Sequence, residues 1–346
     1  MPADSGPRVP AWANYTGTDE WQLDANQTGE SLEIFRGVSE LSREFTRPVL
    51  TIGNFDGVHR GHQTILNLVI ERAHVLGGES VLYTFEPHPR RVLQPDVDHR
   101  LLDTFEQKME TLEALGLDAV IAEPFDLEFA KLSPEYFIET LIHERIRPIE
   151  VYVGYDFHFG RDRDGSMRLL TDRGPHLGFS VTVVPEVSVE GLDVNSTRIR
   201  ELLSTGEVEK AAVLLGRPFC ARGVVIEGER RGRSIGFPTA NLAPETEILP
   251  APGVYSGRIR CVRGGGEWEG KTLPVVTNVG YRPTFHDGRD LVAEAHVIDF
   301  SGDLYGVEID LTFEGRLRGE ERFESVEALR QQIARDVDEA RVRLRS

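Results

Sequence analysis

The sequence predicts an α/β protein in two pieces: a parallel sheet with helices on both faces, then a small antiparallel β-barrel or sandwich closed by a terminal helix. Three observations predict it. Short apolar runs alternate with helical patterns to about residue 185, the order of repeated βα units. The pattern changes at Arg217-Pro218, beyond which short β-rich runs are separated by glycine and proline. Residues 325–344 then return to helical spacing, with Val326, Leu329, Ile333, Val337 and Val342 as the apolar positions. A chain of 346 residues suits about two domains, each long enough to bury a core.

Residues 1–31, rich in Gly, Pro, Asn, Asp and Thr, read as a disordered or loosely docked extension. Residues 32–190 form the first domain. Pro48–Ile52 is a buried strand, 61–76 a helix, 80–85 a strand, 104–115 a helix and 118–122 a strand. Ser133-Pro134 places a cap before a proline at the first helical position, so 134–145 is a helix. Residues 149–153 and 179–184 are strands. Residues 191–216 are a helical linker: one helix starts at Asn195-Ser196 and stops at Gly206, and a second ends at Gly216. Residues 217–346 are the second domain, with β runs at 219–227, 254–262, 273–279, 292–299 and 306–313, and a hairpin turn at 264–266.

Composition is that of an ordinary globular chain, and a net charge of -18 repels nucleic acid and anionic membrane. Lys108, Lys131, Lys210 and Lys271 are the only lysines; the arginine excess suits phosphate contacts and codon bias equally. Cys220 and Cys261 have no metal-type spacing and make no disulfide framework, so a reduced cytoplasmic setting is expected. The chain opens without a signal-peptide pattern, and no apolar run is long enough to span a bilayer.

The first chemical feature follows the strand at 48–52. Gly53-Asn54-Phe55-Asp56-Gly57 runs into His59-Arg60-Gly61-His62 and then a helix. Glycines let backbone turn close to a ligand, and a helix start aims free amides and its positive dipole end at it. In an open α/β sheet, ligands bind beyond the carboxyl ends of strands. Together these features suit a polyphosphate. Two other readings stand beside it: a zinc site on His59 and His62, for which no third ligand lies at familiar spacing, and a plain glycine-rich turn with surface histidines. No Walker-type loop is present.

This loop resembles the HxGH motif of the nucleotidyltransferase superfamily. Its wording, GNFDGVHRGHQ, is similar to the adenylyltransferase module of bacterial bifunctional riboflavin kinase/FAD synthetases. Phe85-Glu-Pro-His-Pro89, Val153-Gly-Tyr-Asp-Phe-His-Phe-Gly160 and Asn195-Ser-Thr-Arg-Ile-Arg200 agree with it. In the second half Arg231-Gly-Arg-Ser-Ile-Gly-Phe-Pro-Thr-Ala-Asn-Leu242 resembles the riboflavin kinase signature. Gly253-Val-Tyr255, Asn278–Thr284, Glu294–Phe300, Asp303–Gly306 and Arg318–Phe323 follow in that family's order. The sequence departs from the family at Asn195 (commonly serine), His158 (usually arginine) and Ser166 (expected aspartate).

The resemblance, which covers residues 33–346, implies a Rossmann-like nucleotidyltransferase domain and a riboflavin-kinase-like barrel. It implies two steps: riboflavin and ATP give FMN, then FMN and ATP give FAD and pyrophosphate, both with Mg2+. His59 and His62 would hold the triphosphate, and Arg198 the leaving pyrophosphate. Gly53, Asn54, Asp56, Gly57, Gly61, His88, Asp156, Ser196 and Thr197 would line the first site. A carboxylate on an apolar strand, Glu294, would be the base for riboflavin's 5′-hydroxyl, although strand alternation alone leaves it equally an outward-facing residue. Thr239 and Asn241 would bind the metal; Gly223, Arg231, Gly232, Gly236 and Pro238 would shape the loop over ATP, with Arg322 at the flavin. Asp287, Asp290 and Asp303 read as solvated turns. Partners are small molecules, with no nucleic acid or membrane, and the chain is expected to be a monomer or weak homo-oligomer.

Overall fold

The computed structural model describes residues 31–160, 165–228, 235–283 and 289–345. The expected N-terminal extension, apart from its last residue, lies outside them. The described chain divides into two compact units: one runs to His99 and resumes over Phe105–Val194, and the other takes Arg100–Thr104 and everything from Asn195.

The first unit is built on six parallel strands: β1 (Glu33–Phe35), β2 (Val49–Ile52), β3 (Ser80–Glu86), β4 (Ala119–Pro124), β5 (Glu150–Gly154) and β8 (Ser180–Val184), in the order β1-β4-β3-β2-β5-β8. Two short hairpins complete its strands, β6 (His158–Phe159) with β7 (Gly165–Ser166) and β9 (Ser188–Val189) with β10 (Leu192–Asp193). The helices are α1 (Arg60–Leu76), α2 (Pro89–Leu93), α3 (Phe105–Ala114), α4 (Pro134–Tyr136) and α5 (Met167–Leu177). β2, β3 and β4 are buried along nearly their whole length, which explains why they read as continuous apolar runs. Strand order reverses between β2 and β5, so the segment leaving Ile52 starts at the topological switch point.

Two expectations need correction here. The helix expected over 134–145 is α-helical for its first turn only, where the Ser133 hydroxyl accepts from the Tyr136 N–H at 3.1 Å. Residues Phe137–Ile146 continue as a π-helix. Its buried residues include the pairs Phe137/Ile142 and Leu141/Ile146, five apart, and the wider turn puts each pair on the sheet side. α5 was not expected because Gly174 and Pro175 interrupt its pattern. A Cβ on Gly174 would stand 2.7 Å from Val181, so glycine lets this helix lie against β8.

The second unit begins with α6 (Ser196–Thr205) and α7 (Val208–Leu215), which end at Gly206 and Gly216 in the left-handed region. β11 (Phe219–Ile226), β12 (Ala240–Pro244), β13 (Gly253–Arg263), β14 (Thr272–Pro283), β15 (Arg289–Val297) and β16 (Glu308–Phe313) pair antiparallel in the order β14-β15-β12-β11-β16-β13. β13 pairs with β14 and closes the barrel, while β17 (Gly315–Arg318) adds to β13. Closure removes the sheet edges. β12 and β17 were not read from sequence: Ala-Asn-Leu-Ala-Pro and Gly-Arg-Leu-Arg are too short and too polar to show alternation. Residues 264–266 do lie in the β13–β14 connection.

Arg222 on β11 and Asp310 on β16 form a buried ion pair at 2.8 Å, and Arg260 on β13 also reaches Asp310 at 2.7 Å. Burial pushes the Asp310 carboxyl up, but the guanidinium groups of Arg222 and Arg260 outweigh it and hold it below the ordinary value. α8 (Val326–Arg343) seats Val337 and Ala340 against Val254, Val276 and Ile298, and Arg318 clamps its Asp336 at 2.8 Å. Val326 and Val342, expected on this apolar face, are 65% and 72% exposed because they fall at the helix ends, beyond the strands it covers.

Candidate active sites

Leaving β2, the Gly53 N–H donates to the Tyr83 carbonyl at 3.0 Å, and a Cβ there would lie 2.9 Å from the Phe55 ring. Phe55, Gly57 and Val58 then take φ of 52°, 81° and 35°. A positive φ is costly for phenylalanine and more so for β-branched valine, and such strain gathers at ligand sites. Packing pays for it: the Gln63 side chain donates to the Val58 carbonyl at 2.7 Å, and Phe55 and Val58 are buried.

The strained turn delivers His59 as the N-cap of α1, its Nδ1 accepting from the His62 N–H at 3.3 Å. The two rings stack with centroids 3.6 Å apart, and the Phe55 ring lies 4.7 Å from His62. The two histidines, both expected to face one ligand, thus form a single stack at the helix start. Burial, then the neighbouring charges of His59 and Lys108, hold the His62 imidazole well below its usual pKa, so it is neutral at pH 7. Asn54 Oδ1 and His62 Nδ1 are buried without a hydrogen-bond partner. Buried polar atoms are rarely left so, and two on one loop mark a place for a polar ligand. Asp56 is 7% exposed. A Cβ on Gly61 would meet the His59 ring at 3.3 Å, tight enough to disturb the stack.

Two other strands end at the same edge of the sheet. Beyond β3, after a cis Glu86–Pro87 bond, His88 caps α2, with Nδ1 accepting from the Arg90 N–H at 3.2 Å and its ring 4.5 Å from that of His99. Beyond β5, Asp156 is exposed, and its carbonyl lies 2.8 Å from His158 Nδ1. Parallel pairing of β2 with β3 and β5 therefore gathers residues 53–62, 87–88 and 154–158 at one end of the sheet. Sequence reasoning missed Lys108. It lies on α3, 8% exposed, with Nζ 3.5 Å from the Asn54 carbonyl oxygen. Its signal was a rare lysine on a helical pattern in an arginine-rich chain.

Ser196, Thr197 and Arg198 open α6 in the second unit. Asn195 Oδ1 caps the helix from the Arg198 N–H at 2.8 Å, and the Arg198 guanidinium contacts Glu201 at 3.0 Å. Thr197 and Arg198 are exposed, so their helix start is open to an anion.

On the barrel, Glu294 of β15 stands in register between Asn241 of β12 and Asn278 of β14. Residues opposite each other in a ladder share a face, so one carboxylate and two amides form a row across three strands. Ala293 and Ala295 point to the barrel interior, and Glu294 is half-buried on the outer face. The outward geometry considered from alternation is therefore correct. Gly228 packs onto Asn241, where a Cβ would lie 2.2 Å from the amide nitrogen. His296, two residues along, has Nδ1 2.8 Å from the Pro238 carbonyl and its ring against Phe237, and so pins the segment before Thr239. Sequence reasoning quoted His296 without assigning it this role.

Gly236 has φ of 91° with open space around it, as a turn requires. Gly223 is corrected: it lies inside β11 rather than in a loop, and the Ala243 carbonyl, 2.2 Å from where a Cβ would sit, accounts for glycine there. Arg322 is exposed beyond β17. Arg231, Gly232 and Asp287 lie outside the described residues, as does the side chain of Asp290.

Comparison with known proteins agrees with this division. A family model described as FAD synthetase matches residues 42–198, and one described as riboflavin kinase matches residues 215–344. The bifunctional riboflavin kinase/FMN adenylyltransferase of Pseudomonas fluorescens is 37% identical over 310 residues, covering 90% of this chain and 97% of that protein. That of Escherichia coli K12 is 37% identical, covering 88% and 96%. A crystal structure described as a macrolide-efflux protein from Streptococcus pneumoniae superposes with a TM-score of 0.79 at 28% identity, covering 89% of this chain and 98% of that one. Among the described residues of this chain no helix is long and apolar enough to cross a membrane.

Proposed function

The chain belongs to the bifunctional riboflavin kinase/FMN adenylyltransferase family, and from that premise we propose which residues carry each step. The C-terminal half is a riboflavin kinase and the N-terminal half an FAD synthetase. Riboflavin is phosphorylated by ATP to FMN, and FMN is adenylylated by a second ATP to FAD and pyrophosphate.

The first step needs a base, because an alcohol is a poor nucleophile at neutral pH. Glu294 takes the proton of the riboflavin 5′-hydroxyl as its oxygen attacks the γ-phosphorus of ATP and ADP leaves. Asn241 and Asn278, in register on either side, hold the reacting groups. Thr239 and Asn241 offer only oxygen ligands, which fits magnesium. Bound there, magnesium would neutralise phosphate charge. His296 fixes the Pro238 carbonyl and with it the approach of Thr239. Gly236 and Pro238 shape the segment over ATP, to which Arg231 and Gly232 belong by motif, and Arg322 is assigned to the flavin.

The second step needs no base, since the FMN phosphate is already an anion. Its oxygen attacks the α-phosphorus of ATP and pyrophosphate departs. The work is positioning and charge stabilisation. Gly53, Asn54, Asp56, Gly57 and Gly61 shape the loop, His59 and His62 contact the triphosphate, and His88 and Asp156 line the flavin or nucleotide pocket. Ser196, Thr197 and Arg198 receive the pyrophosphate, an assignment that rests on their motif.

The observation that carries this reading is the contrast of sites: a carboxylate row on the barrel, and a histidine-capped helix start with orphaned polar atoms on the sheet. Cys220 and Cys261 stand as thiols rather than as a disulfide, which supports a cytoplasmic setting, and we take the working unit to be a monomer or weak homo-oligomer. Incubation with riboflavin, ATP and magnesium, with flavins separated by chromatography, tests the function. FMN and then FAD are expected; FMN with no FAD would remove the second activity.

A further inference from the structure

Lys108 has no part in the steps above, yet it is a buried charge in the first unit. Of the four lysines, Lys131, Lys210 and Lys271 are exposed, whereas Lys108 is 8% exposed on α3, with its ammonium 5.6 Å from the centre of the Phe105 ring. Burying an ammonium group is costly, and an apolar residue would fill this helix position at no such cost. Its Nζ stands 3.5 Å from the Asn54 carbonyl, at the back of the turn that carries His59 and His62. The Thr84 hydroxyl donates to the same carbonyl at 3.3 Å, so the Asn54 peptide is gripped from two elements.

We propose that Lys108 is a positioning residue of the adenylyl-transfer site: its ammonium anchors the Asn54 peptide behind the strained turn and supplies the standing positive charge beside the histidine stack. This rests on the adenylyltransferase reading of that loop. His62 is faced by His59 from the first turn of α1, by Phe55 from the loop and by the charge of Lys108 from α3. Burial, His59 and Lys108 all act to keep it neutral. His62 then contacts its ligand as a neutral ring, while Lys108 provides the charge that favours a departing polyphosphate. With His62 held neutral by burial and its neighbours, the unsubstituted chain should gain no rate as pH falls through the ordinary imidazole range.

The test compares Lys108→Met and Lys108→Arg with the unsubstituted chain, following FAD formation from supplied FMN and ATP between pH 6 and 8.5. FMN formation from riboflavin in the same preparations serves as the control for folding. Lys108→Met is expected to slow FAD formation about a hundredfold at the alkaline end. Part of that loss should be recovered as pH falls, because without the lysine charge His62 protonates more readily and its imidazolium replaces it. Lys108→Arg should keep a flat profile at a reduced rate. A Lys108→Met rate within threefold of the unsubstituted chain would overturn the inference, and so would a slow rate with a flat profile. Should Lys108→Met not fold, Lys108→Gln carries the same test. An unsubstituted chain that makes no FAD from FMN would instead overturn the adenylyltransferase reading itself.

Discussion

The two halves solve phosphate chemistry with opposite architectures. In the parallel sheet the centre of the proposed site is local: one strand end, one turn and one helix start, contiguous over residues 51–63, supply the loop, both histidines and the helix dipole. In the barrel the proposed site is assembled across strands, with Asn241, Glu294 and Asn278 brought level by register from three separate segments. The difference follows the nucleophile. A phosphate anion needs a place to sit and charge to sit against, which a helix start supplies. An alcohol needs a base held at fixed distance from the phosphate donor, and a closed ladder fixes such distances rigidly.

This contrast can be broken in order of effect. His59→Ala removes the α1 cap and half the ring stack, and should slow FAD formation from FMN about 10²–10³-fold while leaving riboflavin phosphorylation within twofold. Comparable loss of both activities in a folded chain would show that the halves do not work separately. Arg222→Met probes the barrel alone. It leaves Asp310 buried with Arg260 as its remaining described guanidinium partner, and should destabilise the barrel by about 3 kcal/mol, read as a lower urea midpoint by amide exchange in β11 and β16. The sign with pH follows from the lowered carboxyl. The pair's stabilisation is complete above the ordinary value of 3.8 and is lost as pH falls below it through the lowered one. Arg222→Met should therefore shift acid unfolding of the barrel to higher pH, and an unchanged acid midpoint would remove the pair from the barrel's stability.

Legibility in the sequence follows the same contrast. β2, β3 and β4 could be read because burial on both faces makes them continuous apolar runs, and the loop at 51–63 because its residues are adjacent. The barrel site was found through its family resemblance, since alternation alone left Glu294 an outward-facing residue. Register, which places two asparagines beside it, is a property of pairing and has no sequence period. α5 was hidden by Gly174 and Pro175, and β12 by its asparagine and proline. Lys108 stands out in the sequence only as one of four lysines, and its burial, which the fold alone reveals, is what gives it meaning.

The most direct test of two separate sites is Glu294→Gln, supplied in turn with riboflavin and with FMN, each with ATP and magnesium. The account predicts that phosphorylation of riboflavin falls about 10²–10⁴-fold while FAD appears from FMN at the unsubstituted rate. Retained phosphorylation, or loss of both products in a folded chain, would contradict it.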